Sequence, residues 1–219
     1  MSKIRFTEPN REILARRDSI INDLTRLVDP AGLITSTDEC RAYETDALTA
    51  YRKMPLAVVL PKTTEEVSAV LKYCHDTGVK VVPRGAGTSL AGGAIPSEDA
   101  VVLGLSKMNR VLAVNYDDRF IRVEAGVTNL SVTAVVAENG FFYAPDPSSQ
   151  LACTIGGNIA NNSGGAHCLK YGVTTNNLLG VRMVLIDGSI IDLGGDYLDS
   201  AGLDLLGLVV GSEGQLGIV

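Results

Sequence analysis

Hydrophobic residues near the start of the chain recur at helical spacing. Residues 10–28 carry isoleucines and leucines three and four positions apart, and Asp29-Pro30 ends this pattern. Thr37 is the expected N-cap of a short helix over residues 38–43. Residues 46–55 show no clear period and are interpreted as a linker. The pattern therefore predicts an N-terminal helical segment and linker over residues 1–52.

The pattern then changes to short apolar runs separated by turn residues. Residues 56–60 and 79–82 are predicted to form buried strands, and residues 65–76 between them a helix that stops at Gly78. A strand, a helix and a strand over this length form a βαβ unit, so the two strands should be parallel with a right-handed crossover. The main domain is therefore predicted to begin at residue 53.

The rest of the chain favours strands joined by turns. Asp187-Gly188 lies between two alternating apolar runs, which is a strong hairpin signal. Residues 145–165 are rich in Pro, Ser and Gly and are interpreted as a long loop. Strands are predicted over 101–105, 111–114, 120–124, 181–186 and 189–193, and a helix over 129–139. The predicted fold class is α+β over residues 53–219: a small parallel βαβ unit and a larger, mostly antiparallel sheet with helices.

Composition excludes several classes of protein. The net charge is −6 and the pI is near 4.9, so no basic face for nucleic acid is expected. No apolar run approaches the roughly 18 residues of a membrane helix, and residues 1–17 are too charged for a signal peptide. The four cysteines form no CxxC pair and there are only two histidines, so neither a disulfide scaffold nor a metal site is expected. We therefore expect a cytoplasmic protein.

Glycines are concentrated in the segment that follows the second predicted strand, named here the glycine-rich loop (residues 83–93). Its glycines allow backbone N–H groups to form an anion-binding nest, with hydroxyl donors from Thr88 and Ser89 and positive charge from Arg84. Gly92-Gly93 and Pro96 prevent the helix of a GxGxxG motif, and no Walker lysine follows. The pattern favours the two phosphates of a dinucleotide, and a flexible surface loop stays open as the alternative.

Two further segments have the residues of a ligand-binding surface. Residues 145–165 are dominated by small side chains and amides with almost no charge. This composition is typical of a surface that lines a flat, polar, neutral ligand such as an isoalloxazine ring. The alternative is a buried glycine-rich turn that packs a helix on a strand. In the C-terminal loop (residues 211–218), Glu213 could accept a hydrogen bond from a ribose hydroxyl, although such a glutamate is more commonly just solvated.

These three segments, in this order, resemble the FAD-binding domain of the vanillyl-alcohol oxidase (PCMH-type) superfamily. Within it, the chain is similar to the group of glycolate oxidase flavoprotein subunits and D-lactate and D-2-hydroxyglutarate dehydrogenases, most clearly at residues 43–46 and 165–172. The resemblance covers nearly the whole chain. It implies a PCMH-type fold of two α/β subdomains, FAD as cofactor, and hydride transfer from a D-2-hydroxy acid to flavin N5.

The resemblance also implies a role for individual residues. The pyrophosphate would be held by Pro83, Arg84, Gly85, Ala86, Gly87, Thr88, Ser89 and Gly93. The flavin and ribityl chain would be lined by Pro145, Ser148, Thr154, Gly156, Gly157, Asn158, Asn161, Ser163 and Gly164. The adenosine end would meet Glu213, Gly214 and Ile218. Some relatives attach FAD through a histidine in the first loop, where this chain has Ala86, so noncovalent FAD is expected.

The catalytic groups are harder to identify. His167 is a candidate for stabilising negative charge near the flavin, and a hydrogen-bonded structural histidine is the alternative. In the superfamily a second, C-terminal domain binds the substrate, and this chain stops inside a motif at residues 217–219, so we expect a fragment of a protein about twice as long. The resemblance also implies iron–sulfur and second flavin-like subunits as partners. A non-catalytic nucleotide-binding module that uses the same loops stays open as the alternative function.

Overall fold

The structure, a computed structural model, describes residues 6–197 and 202–219. The chain begins with two helices, α1 (Arg11–Ala15) and α2 (Arg17–Leu24), where the periodicity predicts one. The backbone leaves the helical conformation at Arg16, between them. The first helix starts at Asn10, whose side chain caps it by accepting from the backbone of Glu12.

The third helix begins one residue earlier than predicted, at the residue expected to cap it. It spans α3 (Thr37–Cys40) and continues as a 3₁₀ turn over Arg41–Tyr43. Ser36 is the N-cap: its backbone is extended and its hydroxyl accepts from the backbone of Glu39. The assignment of this cap to Thr37 is wrong because the preceding serine already satisfies the free N–H group at the helix start.

The central sheet has four strands in the order β1 (Leu33–Ile34), β2 (Ala57–Val59), β4 (Ala100–Gly104) and β3 (Lys80–Arg84), with α4 (Thr64–Thr77) between β2 and β3 in sequence. Strands β2 and β3 are both parallel to β4, which lies between them, and this confirms the parallel βαβ unit. Strand β4 was expected among the later antiparallel strands, but it is buried throughout, as a central parallel strand should be. Pro83 is accommodated because β3 lies at the edge of the sheet.

The second half of the chain contains two antiparallel hairpins, β5 (Val111–Asn115) with β6 (Phe120–Val123), and β7 (Gly180–Val184) with β8 (Ile190–Gly194). The second confirms the turn predicted at Asp187-Gly188. In the described ranges the hairpins are separate two-stranded sheets and not one larger sheet. Three helices lie between the hairpins, α5 (Asn129–Val136), α6 (Ile155–Asn161) and α7 (Cys168–Tyr171), and α8 (Leu205–Val209) follows the second hairpin. The predicted α+β class is thereby confirmed.

Helix α6 lies inside the segment that was interpreted as a long loop. Thr154 caps it by accepting from the backbone of Gly157, and Ile155 and Ile159, four residues apart, are buried on one side. The interpretation of residues 145–165 as loop throughout is therefore wrong. Two glycines lower the helix propensity of this stretch, but the cap and the buried face outweigh them.

Two hydrophobic clusters fill the interior. The first joins the N-terminal helices to α4 and the central sheet, and Ile20 and Leu24 are fully buried in it. The second joins α5, α6, β7 and α8. Because the N-terminal helices share a core with the sheet, they are part of its packing; the division of the chain at residue 53 stays a prediction. Among the described helices, none is long and apolar enough to cross a membrane.

Candidate cofactor-binding site

Three segments that are far apart in sequence converge on one cleft of about 320 Å³. The glycine-rich loop, the first two turns of α6 and the C-terminal loop form its walls. All predicted residues of the two loops line the cleft, together with Thr154, Gly156, Gly157, Asn158, Asn161 and Ser163. Pro145, Ser148 and Gly164 lie outside it. The structure thus brings most of the predicted binding residues together.

The three predicted residues outside the cleft have other surroundings. Pro145 is buried, and its carbonyl accepts from the Asn129 side chain at 2.9 Å. Ser148 is exposed, and its neighbour Ser149 lines the cleft in its place. A Cβ atom on Gly164 would lie 2.3 Å from the sulfur of Cys168, so this glycine permits close packing behind the wall.

The glycine-rich loop packs directly on the start of α6. A Cβ atom added to Gly85 would lie 2.6 Å from Oγ1 of Thr154, the hydroxyl that caps the helix. On the other side of the helix start, the Gly156 amide donates to the Ala125 carbonyl at 2.8 Å. A side chain on Gly85 would separate the loop from the helix, and one on Gly156 would meet Ala125, so both glycines are required for this close packing. The glycine-rich loop and the start of α6 consequently line the same cleft.

Arg84 lines the cleft and is also bound to an earlier segment of the chain. Its guanidinium donates to the Thr45 carbonyl at 2.7 Å and lies over the Tyr43 ring, 5.5 Å from the centroid. Burial lowers the pKa of this guanidinium, against the opposing influence of Tyr43 and Asp46. A Cβ atom on Gly87 would lie 2.2 Å from Nη2 of Arg84, so the guanidinium packs directly against the backbone of the loop. Arg84 thus stabilises the loop's conformation, and because it also lines the cleft, its predicted role at the pyrophosphate stays a prediction.

The C-terminal loop is attached to both other segments. The amides of Gly211 and Glu213 donate to the last turn of α6, at the carbonyls of Ile159 and Ala160. Gly214 has φ +77° and packs against Pro83. A Cβ atom added to Gly214 would lie 2.5 Å from the Pro83 ring. Glu213 itself has a positive φ of 53°, a conformation that costs a non-glycine residue free energy and that is often found at binding sites.

Asn158 contributes an unpaired donor to the wall of the cleft. Asn158 is 1% exposed, and Nδ2 has no hydrogen-bond partner in the part of the chain that the structure describes; burial raises the pKa of the nearby Cys153 thiol, and the Asn158 amide partly opposes this effect. A buried amide without a partner is costly, so a native protein is expected to pair it with a ligand, an ion or an ordered water. An N–H donor fits the nitrogen and oxygen acceptors of a flavin ring. Together with the glycine cradle and the hydroxyls of Thr88 and Ser89, it makes the site suitable for FAD.

His167 lies outside the cleft and is paired with Asp146 through Nδ1. Its backbone amide also donates to that carboxylate, and these contacts hold the pKa of Asp146 below its usual value against the effect of burial. Cys153, by contrast, lines the cleft, and burial raises the pKa of its thiol. Across residues 6–197 and 202–219, no three His, Cys, Asp or Glu side chains form a group that could hold a metal ion.

The cleft also contains residues that the sequence did not single out. They are mainly apolar and belong to the two hydrophobic clusters: Leu105 to the first, and Ile159 and Val209 to the second. Ile159 could have been recognised from its helical spacing with Ile155. Leu105 and Val209 could not, because only the tertiary fold brings them to the same cleft.

Comparison with known proteins finds relatives of this chain. Glycolate oxidase subunit GlcD of Escherichia coli (strain K12) is 49% identical over 202 residues, which is 92% of this chain and 40% of that protein. The Bacillus subtilis (strain 168) protein of the same name is 47% identical over 81% of this chain and 38% of its own length. D-lactate dehydrogenase of Archaeoglobus fulgidus is 40% identical over 92% of this chain and 45% of its own length. The chain therefore spans less than half of these relatives.

Solved structures support the same fold. Alkyldihydroxyacetonephosphate synthase superposes with a TM-score of 0.81 over 98% of this chain and 43% of that chain, at 24% sequence identity. A second crystal form of it gives a TM-score of 0.82. The family described as FAD binding domain matches residues 55–194, which include the glycine-rich loop and α6. This chain belongs to that family of FAD-binding domains, and FAD is its cofactor.

Proposed function

We propose that this chain is the FAD-binding part of a flavin-dependent oxidoreductase that oxidises a D-2-hydroxy acid of the glycolate or D-lactate type. The observation that carries the proposal is the convergence of the glycine-rich loop, α6 and the C-terminal loop on one cleft. The unpaired Asn158 donor lies in the wall of this cleft. The relatives named glycolate oxidase subunit and D-lactate dehydrogenase support the substrate class. The chemistry that FAD supplies when bound is acceptance of a hydride from the α-carbon of the substrate.

The residues of the cleft divide into three groups by the part of FAD they would hold. The glycine-rich loop would bind the pyrophosphate through backbone N–H groups and the hydroxyls of Thr88 and Ser89. The wall from Thr154 to Ser163 would bind the flavin and ribityl chain, with Asn158 as a buried donor. Glu213 would accept from the adenosine ribose; its carboxylate lies beside the glycine-rich loop, 3.6 Å from the position of a Cβ atom on Gly93.

We propose that the cofactor is held noncovalently. Neither histidine of the chain lines the cleft, and Ala86 stands in the loop where some relatives carry the attaching histidine. Cys153 lines the cleft, but burial raises the pKa of its thiol and so disfavours the nucleophilic thiolate. Acid precipitation of the flavin-loaded protein should release all flavin to the supernatant, and flavin retained in the pellet would contradict this.

Substrate binding is assigned to residues outside this chain. The relatives are more than twice as long as the matched region, and none of the described cleft residues forms a carboxylate-binding cluster of arginines. We extend the proposal to a cytoplasmic protein that works with iron–sulfur and second flavin-like subunits, as the resemblance implies. Cell fractionation, and co-purification of the tagged protein with its partners, test these two points.

The test of the proposed function uses the complete protein that contains this chain. Anaerobic addition of glycolate or D-lactate should bleach the absorbance of the bound flavin, whereas L-lactate should leave it unchanged. A protein that binds FAD but is reduced by none of several D-2-hydroxy acids would contradict the substrate class. A protein that binds nucleotides but no flavin would favour the alternative of a non-catalytic nucleotide-binding module.

A further inference from the structure

The segment Tyr43 to Leu48 touches the glycine-rich loop without lining the cleft. Its contacts are made with backbone groups of the loop and with the Arg84 side chain. The Ala47 amide donates to the Ser89 carbonyl at 3.1 Å, and the Thr45 carbonyl accepts from the Arg84 guanidinium at 2.7 Å. The segment comes from the N-terminal part of the chain, so these contacts connect regions about forty residues apart in sequence.

Asp46 is the central residue of this contact. It is 4% exposed, and its two carboxylate oxygens accept from two backbone amides, Leu48 at 2.8 Å and Gly92 at 3.0 Å. In the described part of the chain it forms no salt bridge, because no cationic nitrogen comes within 4.0 Å. A buried carboxylate is costly unless it is hydrogen-bonded, and these two amides, together with the charge of the nearby Arg84 guanidinium, compensate that cost.

The amide that Asp46 holds lies at the point where the glycine-rich loop reverses. Gly92 has φ +81°, and its carbonyl accepts from Ile95 to close the turn. The contact between Ala47 and Ser89 holds the loop three residues earlier. The stretch between these two contacts is therefore held at both ends, and the cleft-lining residues directly beside it are Thr88, Ser89 and Gly93.

We infer that Asp46 is a positioning residue for the pyrophosphate-binding loop: by holding the Gly92 amide it keeps the backbone donors of residues 85–93 turned toward the cleft. Asp46 does not touch the ligand in this account. It acts by reducing the conformations that the loop can take before binding, and such preorganisation raises affinity without adding a contact. This inference rests on the proposed function, because it assigns the loop to FAD pyrophosphate.

Asp46→Asn is the perturbation that separates this role from a merely structural one. The amide has nearly the same shape, but one oxygen becomes an N–H₂ group that would face a backbone N–H. One of the two hydrogen bonds is lost; asparagine favours the local bond to the Leu48 amide, so the bond to Gly92 is lost and the loop is released at that end. We expect FAD to bind the 219-residue chain about tenfold more weakly, equivalent to about 1.4 kcal/mol. Riboflavin, which lacks the pyrophosphate, should bind with unchanged affinity.

Asp99→Asn is the matched control. Asp99 is also a fully buried carboxylate that accepts a backbone amide, that of Asn10 at 2.9 Å, but it does not line the cleft or touch the loop. This variant should lose stability and keep the wild-type affinity for FAD. Amide hydrogen exchange on the FAD-free chain gives a second readout: in Asp46→Asn, residues 85–93 should exchange faster while β2 and β4 stay protected.

The outcomes distinguish the inference from the function on which it rests. Weaker FAD binding by Asp46→Asn alone, with faster exchange in the loop, supports the inference. Unchanged FAD affinity and unchanged loop exchange in Asp46→Asn overturn it while the proposed function stands. Equal weakening by Asp99→Asn also overturns it, because the effect would then be general destabilisation. A wild-type chain that binds neither FAD nor riboflavin removes the proposed function, and this inference falls with it.

Discussion

Gly87→Ala tests the arrangement of the glycine-rich loop most severely. Gly87 has φ +71°, and a Cβ atom would lie 2.2 Å from Nη2 and 2.5 Å from Cζ of Arg84. The guanidinium cannot simply move away, because it donates to the Thr45 carbonyl and lies over the Tyr43 ring. The substitution therefore forces either the loop or the guanidinium out of position.

The expected cost has two parts. A left-handed backbone conformation costs a non-glycine residue about 1–2 kcal/mol. Loss of a hydrogen bond from a charged donor costs about 1.5–3 kcal/mol. We therefore expect Gly87→Ala to lower the free energy of unfolding by about 3 kcal/mol, and to weaken FAD binding because the loop is displaced.

Gly140→Ala is the control for the first part. Gly140 has a similar φ of 77°, but a Cβ atom there would meet nothing within 4 Å, so only backbone strain is added. Urea unfolding followed by circular dichroism measures both variants, and the slope of the transition should not change. In an Arg84→Ala background, Gly87→Ala should cost no more than Gly140→Ala. If the two glycine variants cost the same in the wild-type background, the contact between Gly87 and Arg84 is not as described.

Three further predictions address other parts of the structure. Burial opposes ionisation of Asp99, but hydrogen bonds from Lys80, Ser97 and a backbone amide outweigh it and lower its pKa to about 2. Since the folded pKa lies below the ordinary 3.8, the ionised carboxylate contributes about 2 kcal/mol to the free energy of unfolding above pH 4, and this contribution is lost as the pH falls toward 2. The acid unfolding of Asp99→Asn should lack this component. A pH dependence of stability identical to that of the wild type would contradict the prediction. Leu24→Ala should cost about 2–5 kcal/mol in a single urea transition, because Leu24 is fully buried in the cluster that includes the sheet; a separate early transition would show that the N-terminal helices unfold independently. Asn158→Leu removes an unpaired buried donor, so thermal melting of the FAD-free chain should show no loss of stability. Fluorescence titration of the same variant should show FAD binding that is at least tenfold weaker. An affinity equal to that of the wild type would mean that the donor has no ligand partner.

Local sequence signals predicted much of the fold. The apolar run at β2, the helix α4 that ends at Gly78 and the hairpin at Asp187-Gly188 all depend on short-range preferences, and the structure confirms them. The order of the sheet was not predictable in this way. Strand β4 enters between β2 and β3 because of contacts between distant residues, which the period of the pattern does not record.

The site shows the same division between local and long-range information. Glycine clustering identified the two loops and the start of α6, because close backbone approach requires glycine wherever it occurs. The partner of Arg84 was not predictable, since Thr45 lies 39 residues earlier and is brought to the loop only by the fold. Asp46 was assigned to a linker for the same reason: the amide that it holds belongs to a distant turn.

The central claim is that the cleft between the glycine-rich loop, α6 and the C-terminal loop holds FAD. Titration of the purified 219-residue chain with FAD, followed by flavin fluorescence, tests this claim most directly. We expect quenching that saturates at one FAD per chain, together with a higher Tm in the presence of excess FAD. A chain that is folded by circular dichroism but neither quenches FAD fluorescence nor gains thermal stability from FAD would contradict the account.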